Sequence, residues 1–145
     1  VVRHSLSAPV EPDRGVTYDD VLSDVLREIR ETVLLAEAAG IDRDRIIVDP
    51  GFGFGKSATE SFELLGRLGE FRALGCPVLA GHSHKSMFGA IGEEPGECIE
   101  ATIAGTAIAV ERGADIVRVH DVAENVPAVR AVEAVDGTDD GTDDG

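Results

Sequence analysis

Apolar positions recur along the chain in two rhythms. From about Thr17 to Ala39 the rhythm is helical: Val21, Val25, Ile29 and Val33 are spaced by four, and Leu22 and Leu26 widen the stripe. Thr17 with Asp20 three residues on resembles a capping box, and Gly40 stands where a helix stops. Elsewhere the apolar residues come in short continuous runs. Val1–Val2 ends at Arg3–His4. Ile46–Ile47–Val48 runs into Asp49–Pro50, Pro77–Val78–Leu79–Ala80 into Gly81, and Ile116 to Val119 into His120–Asp121. Between these runs the helical rhythm returns. One helix opens on the Ser57–Glu60 capping box and ends near Leu74–Gly75. Another spans about Glu97 to Arg112 with Ile99, Ile103 and Val110 on its apolar face. A last one spans about Glu124 to Val135, with Pro127 near its first turn.

Four short apolar strands thus alternate with four helices. Strands that are apolar throughout are buried on both faces, and regular alternation implies a parallel sheet with right-handed crossovers. Residues 5–16, with Pro9, Pro12 and Gly15, read as a loop. The Asp-Gly-Thr-Asp repeats of residues 136–145 carry no apolar content and read as a disordered acidic tail.

Composition narrows the functional classes. The 145 residues suit one domain, and 43% hydrophobic with 28% charged excludes a wholly disordered chain. No apolar run approaches the roughly 18–20 residues that span a bilayer. The 28 acidic residues against 13 basic ones give a net charge of -15, a field that repels phosphate backbones, so nucleic acid is not an expected partner. Only two of the 13 cations are lysines, Lys56 and Lys85. Lysine scarcity beside abundant carboxylates fits a protein at home in high salt, which screens the repulsion. Cys76 and Cys98 are far apart and form neither a disulfide framework nor a zinc motif. No leader-like segment opens the chain, so the expected location is cytoplasmic. The opening on Val1–Val2, without a Met, suggests a piece of something longer.

The polar clusters all follow strands, and in parallel α/β architectures ligands bind at the carboxyl ends of the strands. Gly51 to Lys56 superficially resembles a phosphate loop. That motif requires glycine where Pro50 stands, and the dinucleotide fingerprint fails because its third glycine comes one residue early. Asp49 is more telling. A carboxylate at a strand end beside glycines suits a ligand with two adjacent N–H donors, and buried without a donor it would be costly. Lys85 is either a ligand contact or a solvated charge. Arg118, in an otherwise apolar run, binds either an anion or a nearby carboxylate, and His120 sits on the same side of its strand. Lys56, at the far end of the glycine loop, reads as a surface charge.

The motifs Asp49-Pro50-Gly51-Phe52-Gly53-Phe54-Gly55-Lys56, Gly81-His82-Ser83-His84-Lys85-Ser86 and Arg118-Val119-His120-Asp121-Val122 resemble the dihydropteroate synthase family, in that order and over about residues 1–135. The one departure is His84, where the family usually has Arg. The resemblance implies a (β/α)8 barrel of TIM type, of which this chain would be the last four β/α units. It also implies a reaction: p-aminobenzoate displaces diphosphate from 7,8-dihydropterin-6-methyl diphosphate to give dihydropteroate. Carried over by motif, Asp49 and Lys85 would be the catalytic pair. The pterin would lie among Asp49, Phe54, Gly81, Lys85 and Arg118, the aminobenzoate near Ser86, and the diphosphate on Arg118 and His120. The resemblance further implies magnesium, held by the other half of the barrel, and a homodimer of the complete protein. Two alternatives stay open: a pterin-binding module without catalysis, or a barrel that binds methyltetrahydrofolate for methyl transfer.

Overall fold

A computed structural model describes residues 1–4, 18–94 and 96–138. The expected loop at residues 5–16 lies outside them. Strand β1 (Val2–Arg3) leads to helix α1 (Val21–Ala38), β2 (Val48–Asp49) to α2 (Ala58–Gly66), β3 (Leu79–Ala80) to α3 (Ile99–Glu111), and β4 (Ile116–Val117) to α4 (Val122–Thr138). β1 pairs in parallel with β2, with Val2 opposite Val48 and Arg3 opposite Asp49, and β3 pairs in parallel with β4. A parallel bridge between Val48 and Val78 joins the two pairs. The spatial order is therefore the chain order, without the reversal of a doubly wound sheet. Consecutive parallel neighbours with helices outside form an arc of a (β/α) barrel.

The ladders are shorter than the apolar runs, but hydrogen bonding continues past them: Val48 N–H donates to Pro77 O and Arg118 N–H to Ala80 O, both at 2.9 Å. Helix α1 begins four residues later than its apolar rhythm suggests. Asp20 is itself the N-cap, with its carboxylate accepting from Leu22 N and Ser23 N at 3.1 and 3.2 Å. Thr17 lies outside the described residues. From α1, Val21, Leu22, Val25, Ile29 and Val33 enter a core shared with Phe52, Phe71 and Phe88. The Ser57–Glu60 capping box forms as expected, but α2 ends at Gly66, and the chain continues as a 3-10 helix over Leu68–Leu74 before Gly75 stops it at φ +68.

Two expectations are corrected at the C-terminal end. On α3 the fully buried face is Thr102, Gly105, Thr106 and Ala109, while Ile99, Ile103 and Val110 are only half-buried. Polar partners explain the two threonines: His82, buried against this face, has its Nε2 3.0 Å from Thr106 Oγ1, an acceptor that leucine or isoleucine would not supply, and Thr102 Oγ1 accepts the His84 N–H at 3.1 Å. Helix α4 starts two residues early, so Pro127 sits in its second turn, and it runs on through Asp136–Thr138, residues expected to be disordered. Residues 139–145 lie outside the description. No helix of the described residues is long and apolar enough to cross a membrane.

Candidate active site at the strand ends

Because all four strands are parallel, their C-terminal ends face one way. Arg3–His4, Asp49, Gly81 and Arg118–His120 therefore converge at one rim. Asp49 is 3% exposed, and its Oδ1 accepts the Gly51 N–H at 2.8 Å. The sharp turn that delivers this N–H needs Gly51 at φ +74, since a Cβ there would collide with the His4 carbonyl. No other hydrogen bond reaches the carboxylate among the described residues, and Asp49 lines a cavity of about 420 Å³ together with Val1, Arg3, Leu79 and Arg118. Burial pushes the Asp49 carboxyl above its ordinary pKa, while the Gly51 N–H, Arg118, Arg3 and Lys85 oppose that shift.

Three cations surround this one carboxylate. The Arg118 guanidinium lies along the backbone at Gly81, where a Cβ would come within 2.5 Å of it, so any larger residue at 81 would displace the guanidinium from its present place. Arg118 makes no ion pair with a carboxylate among the described residues, which leaves its fork exposed to the cavity. The Arg3 guanidinium carbon lies 4.0 Å and the Lys85 Nζ 4.4 Å from the Phe54 ring centroid. Burial holds the Lys85 ammonium below its usual pKa and Arg118 adds to this, while Asp49 counteracts it. In a chain of net charge -15 this rim is locally positive, an arrangement suited to a flat ligand with N–H donors and an attached anion.

His120 is exposed, and its backbone N–H donates to Ser83 Oγ at 3.1 Å. The Ser83 hydroxyl in turn meets His120 Nδ1 at 2.8 Å. With Nδ1 accepting, the neutral ring carries its proton on Nε2. Ser86 is exposed at the start of the 3-10 turn Ser86–Ile91, outside the cavity of Asp49 and Arg118. His84 adopts φ +51, its N–H donates to Thr102 Oγ1 at 3.1 Å, and its Nε2–H donates to Asp121 Oδ2 at 2.6 Å. The residue that departs from the family pattern is thus built into the loop, bridging the β3 end to the start of α4.

Sequence reasoning missed three residues. His82 is fully buried and spans 3.1 Å to Thr102 O and 3.0 Å to Thr106 Oγ1, and Thr106 donates on to Asn125 Oδ1 at 2.6 Å. These bonds fasten the Lys85 loop to α3 and α4. His4 is also buried, with Nε2 2.7 Å from Glu28 Oε2. The third is Lys56. It is not a surface charge: its Nζ donates to Gly51 O at 2.9 Å, Phe54 O at 3.1 Å and His4 Nδ1 at 2.9 Å. Its position just after three glycines was the available signal, since a loop without side chains needs fixing from outside.

Comparison with known proteins decides the family. The family model described as pterin binding enzyme matches residues 1–120. The chain belongs to the pterin-binding enzyme family. A probable bifunctional folylpolyglutamate synthase/dihydropteroate synthase of Haloferax volcanii is 66% identical over 134 residues, which are 92% of this chain and 16% of that protein. The Escherichia coli dihydropteroate synthase is 42% identical over 132 residues, 90% of this chain and 47% of that one. Among solved structures, the Xanthomonas albilineans dihydropteroate synthase in complex with 7,8-dihydropteroate is 40% identical. It superposes with a TM-score of 0.82, covering 92% of this chain and 50% of that one. The chain thus spans about half the length of its single-function relatives. The arc of four β/α units is half of a TIM-type barrel, as the motifs imply, and the Haloferax relative fits the high-salt composition.

Proposed function

We propose that the protein carrying this chain is a dihydropteroate synthase, and that these residues form the pterin and diphosphate side of its active site. The observation that carries the reading is Asp49, buried at the end of β2, lining a cavity with Arg3 and Arg118 and near enough to Lys85 to interact with its charge. An ionised carboxylate accepts from two adjacent N–H donors, which a pterin offers as its amino group and ring N–H. Phe54 and the side-chain-free surface of Gly81 bound the flat ring.

In the reaction the methylene C–O bond to diphosphate breaks, and the aminobenzoate nitrogen forms the new C–N bond and releases one proton. The amine is a weak nucleophile, so negative charge builds on the leaving diphosphate. Arg118 and the Nε2–H of His120 are placed to hold that charge, which stabilises the transition state more than the ground state. Lys85, close enough to Asp49 and Arg118 to interact with both, reaches the junction of the pterin and the aminobenzoate, with Ser86 on the aminobenzoate side. The reaction needs no side-chain nucleophile. The magnesium that the resemblance implies would be held by the other half of the barrel and would neutralise charge on the diphosphate.

The test is calorimetric titration of the whole protein with a dihydropterin, its methyl diphosphate and p-aminobenzoate, followed by assay for dihydropteroate. Binding of both pterins with turnover supports the synthase. Pterin binding without turnover favours the non-catalytic module, and no pterin binding overturns the reading of Asp49.

A further inference from the structure

We infer that Lys56, seated on His4, is a positioning residue that holds the turn Gly51–Phe54 of the proposed ligand site in its working shape without touching the ligand. An ammonium has three N–H donors. Lys56 aims them at three acceptors, the carbonyls of Gly51 and Phe54 and the Nδ1 of His4. The two carbonyls are the ends of the turn, so the ammonium clamps it across its mouth. Gly51 is then held from both sides, its N–H by Asp49 and its carbonyl by Lys56. Phe54, over whose ring Arg3 and Lys85 lie, is held through its carbonyl in the same way.

The third partner ties the clamp to the barrel. His4 donates from Nε2 to Glu28 on α1 at 2.7 Å, which fixes the neutral tautomer and leaves Nδ1 to accept from Lys56. Burial and the neighbouring Lys56 keep His4 below its ordinary pKa, consistent with a neutral ring, although Glu28 and Asp24 oppose them. The His4 backbone N–H also donates to Asp49 O at 2.9 Å. One chain of contacts therefore runs from α1 through the end of β1 to the turn after β2. Had Lys56 only capped a loop, a bond to either carbonyl would have sufficed.

The clamp is titratable. Burial lowers Lys56 from 10.5 to about 8. The charged groups facing it are Asp49, Glu28 and Glu60, which raise its pKa, and Arg3, which lowers it. His4 faces it too, and behind His4 lies Tyr18 with its ring centroid 6.3 Å away. A neutral amine has only two donors, so deprotonation releases one of the three contacts. The sign for stability is opposite. Between about 8 and 10.5 the unfolded chain keeps the lysine proton that the folded chain has lost, so this group makes folding more favourable as pH rises through that window. A merely structural lysine would make ligand binding follow stability, whereas a positioning lysine makes the two diverge.

The experiment uses the whole protein and has two arms, one of which is independent of the pterin reading on which the ligand's identity rests. In the first, Lys56→Met should speed amide exchange at Phe54, whose N–H donates to Gly51 O at 3.1 Å, in protein free of ligand. In the second, Lys56→Met should weaken binding of a pterin lacking diphosphate about tenfold at neutral pH. Dividing the wild-type affinity by that of the variant cancels the pterin's own titration, and the ratio should fall as pH passes through about 8. Should Lys56→Met not fold, Glu28→Gln serves instead. It removes a charge that raises the Lys56 pKa, so the midpoint of the wild-type pH profile should move to lower pH. Unchanged Phe54 exchange with pterin affinity within twofold of wild type, or an unmoved midpoint in Glu28→Gln, overturns the inference. If wild type binds no pterin while Phe54 exchange still quickens in Lys56→Met, the proposed function fails and the clamp stands.

Discussion

Substituting Asp49→Asn in the whole protein removes one charge and almost no volume, so it isolates what the carboxylate does. In the folded chain Oδ1 takes the Gly51 N–H at 2.8 Å. Asn keeps that bond by offering its own Oδ1, which turns the amide NH2 toward the cavity. There it meets the N–H donors of the pterin with a donor. One charge-assisted hydrogen bond is worth about 1.5–3 kcal/mol at a site this buried, which is roughly tenfold to a hundred-and-fiftyfold in affinity. Opposed donors add to the loss, so a pterin should bind at least about tenfold more weakly, with or without its diphosphate. Calorimetric titration measures it. The pH dependence gives a second reading, because burial raises the Asp49 pKa. As pH falls, wild type loses its acceptor earlier than an exposed aspartate would, and its pterin affinity declines toward acid, whereas Asn has no such step. The stability effect has the opposite sign: in the unfolded chain this carboxyl ionises at lower pH than in the folded one, so wild type loses stability as pH rises through that interval and the variant does not. Affinity of Asp49→Asn within twofold of wild type would refute the role assigned to Asp49.

Arg118→Ala should weaken the diphosphate ester by about tenfold or more and a pterin without diphosphate much less, since the fork's charge-assisted bonds go to the anion; equal losses for the two ligands in titration would make Arg118 structural. The melting temperature should climb as salt rises from about 0.1 M to about 1 M, where the Debye length shrinks from roughly 10 to 3 Å and the net charge of -15 is screened; a flat or falling curve removes the high-salt reading. The 145 residues expressed by themselves should self-associate and form no dihydropteroate, because β1 and β4 each pair with one strand only among the described residues and so present open edges; a monodisperse, active monomer in sedimentation and assay would contradict this.

Much of this was legible because parallel α/β chains write their chemistry at strand ends. Asp49 beside its glycines, Gly81 and Arg118 could be placed at one rim from order alone, and the structure puts Asp49 and Arg118 on one cavity. Hydrophobic periodicity failed where the core is polar. On α3 it selected Ile99, Ile103 and Val110, but the buried His82 ring calls for the Thr106 hydroxyl and the His84 N–H for the Thr102 hydroxyl, needs to which a hydrophobic rhythm is blind. It also misplaced the start of α1, because Asp20 can be either the third residue of a capping box or the cap, and only backbone geometry separates them. His4–Glu28 and Lys56–His4 join residues 24 and 52 apart, contacts that exist only once α1 packs on β1 and the turn after β2 comes beside it.

The same contacts explain why the chain, which places arginine at 11 of its 13 cationic positions, keeps lysine at the two it does. A guanidinium presents its donors in a plane as a rigid fork, a shape that matches a carboxylate or phosphate edge. Arg118 meets that description, and so do the surface pairs of Arg43 with Glu37 and Arg67 with Glu70. Lys56 faces a different problem. Its three acceptors converge from a tight turn and a histidine ring, and a compact tetrahedral ammonium can satisfy all three where a planar fork would leave donors buried and unpaired. Lys85 lies over the Phe54 ring, near enough to Asp49 and Arg118 to interact with both charges, and its compact ammonium takes less room there than a second fork beside Arg118 would. The acidic, arginine-rich composition is therefore a property of the surface. At the strand ends, the shape of the acceptors decides which cation stands there.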